Sequence, residues 1–340
     1  MRVPVRVQRL GEWGLIRRIR RTIGSGAPGV RVGIGDDTAV LQPTPGAWLL
    51  ATTDLVIEGV HFRRRSAGPA DIGWKAMAVN LSDIAAMGGA PRFALVALAC
   101  PEETEVEEVD QFYEGLTAAA APHGVAIVGG DTSASPAGWI VNVTLLGEMT
   151  GPPRLRSGAR PGDVIAVVGT LGRSAAGLAV LEAGRRPDLP GPVLAEVERA
   201  HLRPVARVAE GKWLGTRDAV HAMIDLSDGL ATDLGHIAIE SGVAARVDLP
   251  RVPVADSARA VAQALGLEAL DLATTGGEDY ELLFTAERGS AEAIATGLGS
   301  ATGAAVTVIG EISDGAPGVT FLDAAGRAVN VGQGYEHFHG

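Results

Sequence analysis

The sequence predicts a two-domain α/β protein, and three of its features lead to this prediction. A chain of 340 residues can bury a large core, and its length fits two domains better than one. Apolar, strand-like runs alternate with amphipathic, helix-like runs along most of the chain. Between them, residues 150–161 form a connection rich in proline, glycine and arginine. We therefore assign residues 1–150 to an N-terminal domain and residues 151–340 to a C-terminal domain.

The elements of the N-terminal domain follow from these runs in chain order. They are a helix over 12–21, a strand over 48–53 with Asp54 at its end, a helix over 75–91, a strand over 93–99, a helix over 104–124 with Gly124 as C-cap, a strand over 125–128 that stops at Gly129, and a strand over 139–146.

The C-terminal domain repeats the alternation and predicts a second α/β layer. Its strands are expected over 164–168, 220–224, 280–285, 306–309 and 319–322, and its helices over 174–182, 201–214, 230–240 and 291–298.

Composition and charge exclude several classes of function. The chain carries 29 Lys and Arg against 40 Asp and Glu, a net charge of −11, which argues against nucleic acid as the main partner. Cys100 is the only cysteine, so the chain has neither a disulfide framework nor a thiolate metal cluster, and we expect Cys100 to be buried at a strand end. The N-terminus lacks the apolar core of a signal peptide, and no run approaches the ~20 apolar residues of a membrane helix. We expect a cytoplasmic protein.

The helix over 75–91 contains one carboxylate in an apolar setting. Met77, Leu81 and Ile84 recur at helical spacing as a core stripe, and Asp83 falls on the adjoining face with Asn80. We expect water to be scarce there. An ionised carboxylate is costly in such a place unless a cation or hydrogen-bond donors compensate it.

Aspartates recur at predicted strand ends and in glycine-flanked loops. The set is Asp36, Asp37, Asp54, Asp83, Asp131, Asp225 and Asp228. Carboxylates gathered in one cleft repel each other unless cations lie between them, and Mg²⁺ prefers such oxygen ligands. The alternative is that each aspartate only forms a turn or a helix cap, for which Asp228 is the best candidate and Asp36 another.

Other chemistries find little support. The chain has no GxxxxGK[ST] loop, no kinase motifs, no metal-binding histidine spacing and no GxSxG nucleophile elbow. If the protein transfers phosphoryl groups, then metals, backbone amides and an arginine must neutralise the phosphates, and Arg156 is the first choice. Arg63, Arg64 and Arg65 could attract an anion but fit a solvated face better. His61 fits a packed or capping position.

Eight motifs follow one another along the chain, in the order GIGDDTAVL, TTDLVIEGVHF, WKAMAVNLSDIAAMGGAPR, GGDTS, RSGARPGD, HLRP, IDLSDGL and GGEDYELLF. In this order and spacing they resemble the thiamine-monophosphate kinase family of the aminoimidazole ribonucleotide synthetase superfamily. The resemblance spans nearly the whole chain. It implies mixed sheets flanked by helices, a homodimer paired through its N-terminal domains, and direct, in-line, magnesium-assisted phosphorylation of thiamine monophosphate by ATP to thiamine diphosphate.

The resemblance also implies roles for individual residues. The implied metal ligands are Asp37, Thr52, Thr53, Asp54, Asp83, Asp131, Asp225 and Asp228. The implied ATP contacts are Tyr113, Gly130, Asp131, Arg156 and Ser227, and the implied substrate contacts are His61, Glu278 and Tyr335. Of these, Asp83, Asp131, Arg156 and Asp225 are the implied catalytic residues. Trp74 and the run Arg63–Arg65 depart from the family pattern at the substrate edge.

Two alternatives remain at this point. One is another ATP-using synthetase of the superfamily, although the cysteines that its selenophosphate and hydrogenase-maturation branches need are missing here. The other is a non-catalytic regulator that binds nucleotide and metal, in which some acidic positions should be lost. All of them are filled.

Overall fold

The computed structural model describes residues 5–23, 26–34 and 38–336, without the side chain of Trp13. The chain divides into two compact units. The N-terminal unit comprises the chain up to Ile84 and Ala90–Gly151, and the C-terminal unit comprises Ala85–Gly89 and Pro152–Gly340. In the described part of the chain, no helix has both the length and the apolar character that crossing a membrane requires.

The N-terminal unit is built around a four-stranded mixed sheet. The strands of the unit are β1 (Val30–Val32), β2 (Val40–Leu41), β3 (Trp48–Ile57), β4 (Ala90–Cys100), β5 (Ala126–Ala134) and β6 (Ile140–Met149), of which the last four form this sheet. Its helices are α1 (Val7–Leu10), α2 (Glu12–Ile23), α3 (Pro69–Ala86) and α4 (Val106–Ala120), with a 3₁₀ turn at Ala121–His123. The strand order is β3-β6-β4-β5; β4 and β5 run parallel and the other pairs antiparallel, while β1 and β2 form a separate ladder.

Helices α3 and α4 cross at two glycines. A Cβ added to Gly73 would lie 2.0 Å from the carbonyl oxygen of Phe112, and one on Gly115 would lie 1.9 Å from the carbonyl oxygen of Ala70. Any side chain at either position would therefore push the two backbones apart. This crossing fixes the helix that carries Asp83.

The two faces of the sheet differ in exposure. Alternate residues of a strand point to opposite faces, and one face buries Val96 and Val143. The opposite face leaves Leu49, Leu55 and Leu95 exposed. The N-terminal unit thus has an inner sheet face in the core and an outer sheet face that exposes several large apolar side chains.

The C-terminal unit contains a seven-stranded mixed sheet. Its strands are β7 (Asp163–Val168), β8 (Val220–Asp225), β9 (Ala244–Asp248), β10 (Leu282–Glu287), β11 (Val306–Ser313), β12 (Gly318–Leu322) and β13 (Ala328–Val329). The order is β13-β12-β9-β11-β7-β10-β8, and only β12 and β9 pair in parallel.

Helices cover both faces of this second sheet. They are α5 (Arg173–Glu182), α6 (Gly191–Leu202), α7 (Val208–Gly215), α8 (Leu230–Ser241), α9 (Asp256–Leu265), α10 (Ala269–Thr274) and α11 (Ala291–Thr302), with 3₁₀ turns at Arg156–Gly158, Leu249–Arg251 and Arg288–Ser290. Ile165 and Val167 pack into one apolar core with residues of α5 and α8, and Val164 and Val168 pack into another with residues of α7 and α11. The mixed sheets flanked by helices confirm the predicted fold class.

Several predicted boundaries were wrong, for local reasons. β3 continues to Ile57, so Asp54 lies inside the strand, and β5 continues through Gly129 to Ala134. The ladder with β4 favours glycine here, because a Cβ on Gly130 would lie 1.8 Å from the carbonyl oxygen of Val96. The acidic helix ends at Ala120, and Gly124 instead caps the 3₁₀ turn at a φ of 69°. Cys100 is buried at the last residue of β4, as predicted.

Candidate active site

The side chains of Thr52 and Asp83 meet on the inner face of the N-terminal sheet, and Asp54 lies on the same face. The hydroxyl of Thr52 on β3 donates a hydrogen bond to Oδ2 of Asp83 on α3. Asp54 follows two residues after Thr52 and so lies on the same side of the strand. All the ligand atoms in this group are oxygens, which is the donor set that Mg²⁺ prefers.

The expected burial of Asp83 was wrong. Asp83 is partly exposed, whereas Asn80, one turn earlier on α3, is fully buried. The Asn80 side-chain amide donates to the carbonyl oxygen of Ala76 at 3.0 Å. The apolar sequence around Asp83 therefore reflects the core stripe of α3, while its carboxylate emerges beside the edge strand β3.

Thr53 and Asp131 do not join this group within one chain. The side chain of Thr53 lies on the other face of β3, where its Oγ1 is 3.0 Å from Oγ1 of Thr144 and accepts from the Asn142 amide at 2.9 Å. Asp131 stands opposite Ala97 in the β4–β5 ladder, is exposed, and belongs to the strand at the far edge of the sheet. Asp36 and Asp37 lie outside the described residues.

His61 and Tyr113 occupy defined positions in the N-terminal unit. Nδ1 of His61 accepts a hydrogen bond from the backbone N–H of Ile57 at 3.0 Å, so the ring proton is on Nε2 in the neutral form. Tyr113 is buried edge-on against Phe112, with ring centroids 5.1 Å apart. Burial raises the pKa of the Tyr113 phenol.

Arg64, from the unusual arginine run, has a structural role. Its guanidinium pairs with Glu108 in the first turn of α4 and lies 5.2 Å from the centroid of the Trp139 ring. These contacts tie the segment after β3 to helix α4. Arg64 is exposed, as expected of a solvated face, and these two contacts add a structural role.

A cavity of about 240 Å³ lies beside β5. It is lined by Arg20 and Ile23 of α2, by apolar residues of β5 and of the segment 26–34, and by Thr117. The Thr117 hydroxyl is buried and has no hydrogen-bond partner among the described residues. A mostly apolar space with a few polar groups at its wall suits a flat heterocyclic ring.

The loop between β8 and α8 gathers the carboxylates of the C-terminal unit. Asp225 ends β8, and Asp228 follows three residues later. Ligand atoms of Asp228, Asp233 and His236 lie within 4.8 Å of one another. Burial, and then the neighbouring charges of Asp225 and Asp228, raise the pKa of Asp233 to about 8. So close a set of carboxylates provides the negative field that a divalent cation would neutralise.

Asp228 is not the N-cap of α8, contrary to the simplest alternative. The capping position is Gly229, and the backbone N–H groups of Asp228 and Gly229 both donate to Oδ2 of Asp233, each at 3.1 Å. Asp233 is therefore a residue that sequence reasoning missed. Its signal was an acidic side chain in the first turn of the helix after IDLSDGL.

Two predicted substrate residues attach to the same β8–α8 loop. The backbone N–H of Glu278 donates to the carbonyl oxygen of Ser227 at 2.7 Å, and that of Tyr335 donates to the carbonyl oxygen of Asp228 at 3.1 Å. The structure thus brings Ser227, Asp228, Glu278 and Tyr335 together from distant parts of the sequence. Nothing in their spacing indicated this.

Arg156 is exposed on a short 3₁₀ turn that is firmly anchored. Its carbonyl oxygen accepts a hydrogen bond from the Ser241 hydroxyl at 2.8 Å, and Gly158 packs so closely that a Cβ there would lie 2.0 Å from the carbonyl oxygen of His221. The connection 150–161 is therefore ordered where it carries Arg156.

The segment around GGEDYE contains further buried charges that the motif alone did not distinguish. Asp279 accepts hydrogen bonds from the backbone N–H groups of Gly172 at 2.6 Å and Ser174 at 3.1 Å, at the start of α5. Burial raises its pKa to about 7. Glu281 is buried and pairs with both Arg173 and Arg207, each with an N–O distance of 2.8 Å.

Models of known families match most of the chain. The AIR synthase related protein N-terminal domain matches residues 35–149, and the AIR synthase related protein C-terminal domain matches residues 160–322.

Individual proteins are similar over nearly the whole length. The thiamine-monophosphate kinase of Salmonella typhimurium is 39% identical over 330 residues, covering 96% of this chain and 98% of that protein. The Aquifex aeolicus thiamine-monophosphate kinase is 41% identical over 281 residues, covering 83% and 87%. Among solved structures, AaThiL complexed with AMPPCP and TMP has 36% identity, 99% coverage of both chains and a TM-score of 0.77. The Stenotrophomonas maltophilia thiamine-monophosphate kinase has 38% identity, coverage of 93% and 96%, and a TM-score of 0.81.

Proposed function

Because the chain belongs to the thiamine-monophosphate kinase family of AIR synthase related proteins, we propose that it phosphorylates thiamine monophosphate with ATP. A phosphate oxygen of thiamine monophosphate forms a bond to the γ-phosphorus of ATP. The bond between that phosphorus and the β–γ bridging oxygen breaks, and thiamine diphosphate and ADP leave. The similarity to AaThiL in complex with AMPPCP and TMP carries this proposal.

The donor groups fit magnesium as the metal. Thr52, Asp54 and Asp83 form one oxygen-only group, and Asp225 and Asp228 belong to another. The Asp37 assignment remains a proposal from the motif. When bound, Mg²⁺ would neutralise phosphate charge and hold the phosphates in line.

The remaining residues bind and orient the two substrates. Arg156 presents an exposed guanidinium for phosphate oxygens, and Gly130 lies beside Asp131 on the exposed part of β5. The adenine ring fits the cavity beside β5, because this strand leads directly from the cavity to Gly130 and Asp131. Glu278 offers a carboxylate to the cationic thiazolium ring, and His61 and Tyr335 contact the same substrate.

No strong general base is needed for this transfer. The acceptor is a phosphate monoester, whose second pKa near 6 leaves it mostly dianionic at neutral pH. Positioning and charge neutralisation then supply most of the rate enhancement. This explains a site rich in aspartates.

We propose that the active protein is a homodimer, because two of the proposed metal ligands lie far apart within a single chain. Asp54 and Asp131 lie on strands at opposite edges of the four-stranded sheet, about 14 Å apart at ~4.8 Å per strand, and on opposite faces. Metal ions in paired sites stand only about 4 Å apart. The exposed outer face with Leu49, Leu55 and Leu95 provides an apolar surface for pairing. Asp131 of the partner subunit would then approach the edge strand β3 on which Asp54 lies.

Mixing two inactive variants tests this arrangement. Asp54→Asn and Asp131→Asn should each abolish activity when expressed alone. If the two residues come from different subunits, random mixed dimers regain about a quarter of wild-type activity, because half are heterodimers with one intact site. If both residues come from one subunit, every site carries a substitution and mixing restores nothing.

The function itself is tested by direct assay. Purified protein is incubated with ATP, Mg²⁺ and thiamine monophosphate, and thiamine diphosphate is measured by chromatography. Free thiamine and an aminoimidazole precursor serve as alternative acceptors. Product from thiamine monophosphate alone supports the proposal. Product from the aminoimidazole precursor favours another synthetase, and binding of ATP without turnover favours a regulator. The cytoplasmic location stays a prediction.

A further inference from the structure

Glu278 is held in an unusual backbone conformation. Its φ is 65° and that of Tyr280 is 51°, the two positive values among the described non-glycine residues. Such conformations cost free energy and persist only where the surrounding structure enforces them. The hydrogen bonds from the Glu278 N–H to Ser227 and from the Tyr280 N–H to Leu226 fix this backbone to the β8–α8 loop.

The Glu278 side chain is fixed by a second set of contacts. Nδ1 of His201, in the last turn of α6, lies 3.2 Å from Oε2 of Glu278 and 3.2 Å from Oγ of Ser174. A carboxylate only accepts hydrogen bonds, so the proton resides on Nδ1. The Ser174 N–H donates to Asp279, the next residue after Glu278. The four residues Glu278, His201, Ser174 and Asp279 thereby form a closed ring of contacts.

This ring is supported by close helix packing. A Cβ on Gly177 of α5 would lie 2.0 Å from the carbonyl oxygen of Val197 on α6, so the backbones of the two helices touch. Ser174 and His201 lie on these same helices and are both buried. Their relative position cannot change without separating α5 from α6. The carboxylate of Glu278, whose side chain is 24% exposed, marks the end of the ring that reaches solvent.

We propose that His201 is a positioning residue for thiamine monophosphate, acting by orienting the Glu278 carboxylate with the help of Ser174. This inference rests on the proposed function and adds a specificity-determining residue to it. His201 itself does not touch the substrate. A pre-oriented carboxylate meets the cationic ring of the substrate without losing rotamer freedom at the moment of binding.

The test compares His201→Ala with a matched histidine. His221 is also paired through Nδ1 with a carboxylate, that of Asp163 at 2.9 Å, and its side chain is 11% exposed against 9% for His201. His201→Ala should raise the KM for thiamine monophosphate about tenfold, the expected effect of losing one charge-assisted hydrogen bond, while the KM for ATP stays unchanged. His221→Ala should change neither constant.

Two further variants separate positioning from general damage. His201→Asn keeps a donor near the position of Nδ1 and should have a KM for thiamine monophosphate close to that of the wild type. Ser174→Ala removes the hydroxyl but keeps the backbone hydrogen bond to Asp279, and should raise the KM for thiamine monophosphate about threefold. Urea unfolding checks that each variant is folded. If His201→Ala is not, His201→Asn and Ser174→Ala decide the question by the same two constants.

The outcomes distinguish this inference from the proposed function. If the wild-type protein makes no thiamine diphosphate, the proposed function fails and this inference fails with it. If the wild-type protein is active but His201→Ala and Ser174→Ala keep a normal KM for thiamine monophosphate, only the inference is overturned. A parallel rise in both KM values, or an equal effect of His221→Ala, also overturns it.

Discussion

The carboxyl group of Asp279 provides a quantitative test of how the GGEDYE segment is held. Both of its oxygens accept backbone N–H groups at the start of α5, which favours the ionised form, yet burial is the larger effect and raises the pKa to about 7. Asp279→Asn keeps the shape of the side chain and removes the titration. The informative measurement is the free energy of unfolding of both proteins as a function of pH.

The direction in which the free energy of unfolding changes with pH follows from the pKa of Asp279 in the unfolded and folded chains. In the unfolded chain an aspartate ionises near pH 4, whereas in the folded protein Asp279 stays neutral until about pH 7. Between these values folding costs the uptake of a proton, so wild-type stability falls as pH rises, by about 1.4 kcal/mol per pH unit. Over the three pH units between pH 4 and pH 7 the protein loses at most about 4 kcal/mol of stability, and above pH 7 this loss is complete.

The variant isolates this loss from the other titrations. The free energy of unfolding of Asp279→Asn minus that of the wild type should rise by about 3 kcal/mol from pH 5 to pH 7 and then level off. Urea denaturation in buffers from pH 5 to pH 8 measures it. Asp188→Asn, at an exposed position, is the matched control and should give a flat difference. A flat difference for Asp279→Asn would refute the reasoning, because the carboxylate would then be ionised throughout.

Three substitutions elsewhere test other parts of the structure. Asp83→Asn should lower kcat by at least about a hundredfold with an unchanged urea midpoint, and near-normal turnover at saturating Mg²⁺ would contradict its assignment. Arg207→Met leaves the buried Glu281 with one arginine fewer and should lower the free energy of unfolding by about 3 kcal/mol; an unchanged midpoint in urea would show that Arg173 suffices. Gly115→Ala places a Cβ 1.9 Å from the Ala70 carbonyl oxygen and should lower the free energy of unfolding by about 1–3 kcal/mol, measured as a fall in Tm; Gly235→Ala on α8, where an added Cβ meets nothing within 4 Å, is the matched comparison.

Hydrophobic periodicity was sufficient to predict an element where the pattern extends over several turns of a helix or along a whole strand. The core stripe of α3 and the buried end of β4 at Cys100 were predicted, because each depends on alternation of local sequence. The predicted strand ends at Asp54 and Gly129 were wrong. Both residue types favour turns in isolation, but a long ladder with neighbouring strands outweighs that preference.

The sequence predicted which types of residue form the candidate site, but not how these residues are arranged in space. Composition and motifs indicated oxygen ligands for a metal, and the Thr52–Asp83 contact brings a hydroxyl and a carboxylate from this set together. Which aspartates share a face depends on the sheet register, and a single sequence does not contain the register of Asp131. The roles of Asp279 and His201 depend on packing between segments more than 70 residues apart.

The glycine crossing of α3 and α4 has a consequence for the chemistry. Gly73 and Asp83 are ten residues apart on one helix, about 15 Å along its axis. Metal–ligand distances tolerate only about 0.2 Å of error. A continuous helix transmits a displacement along its axis, so a shift of 1 Å at the crossing would exceed this tolerance several times over at the carboxylate. The absence of two side chains therefore helps to define the coordination geometry, and designed variants should keep Gly73 and Gly115 together with the metal ligands.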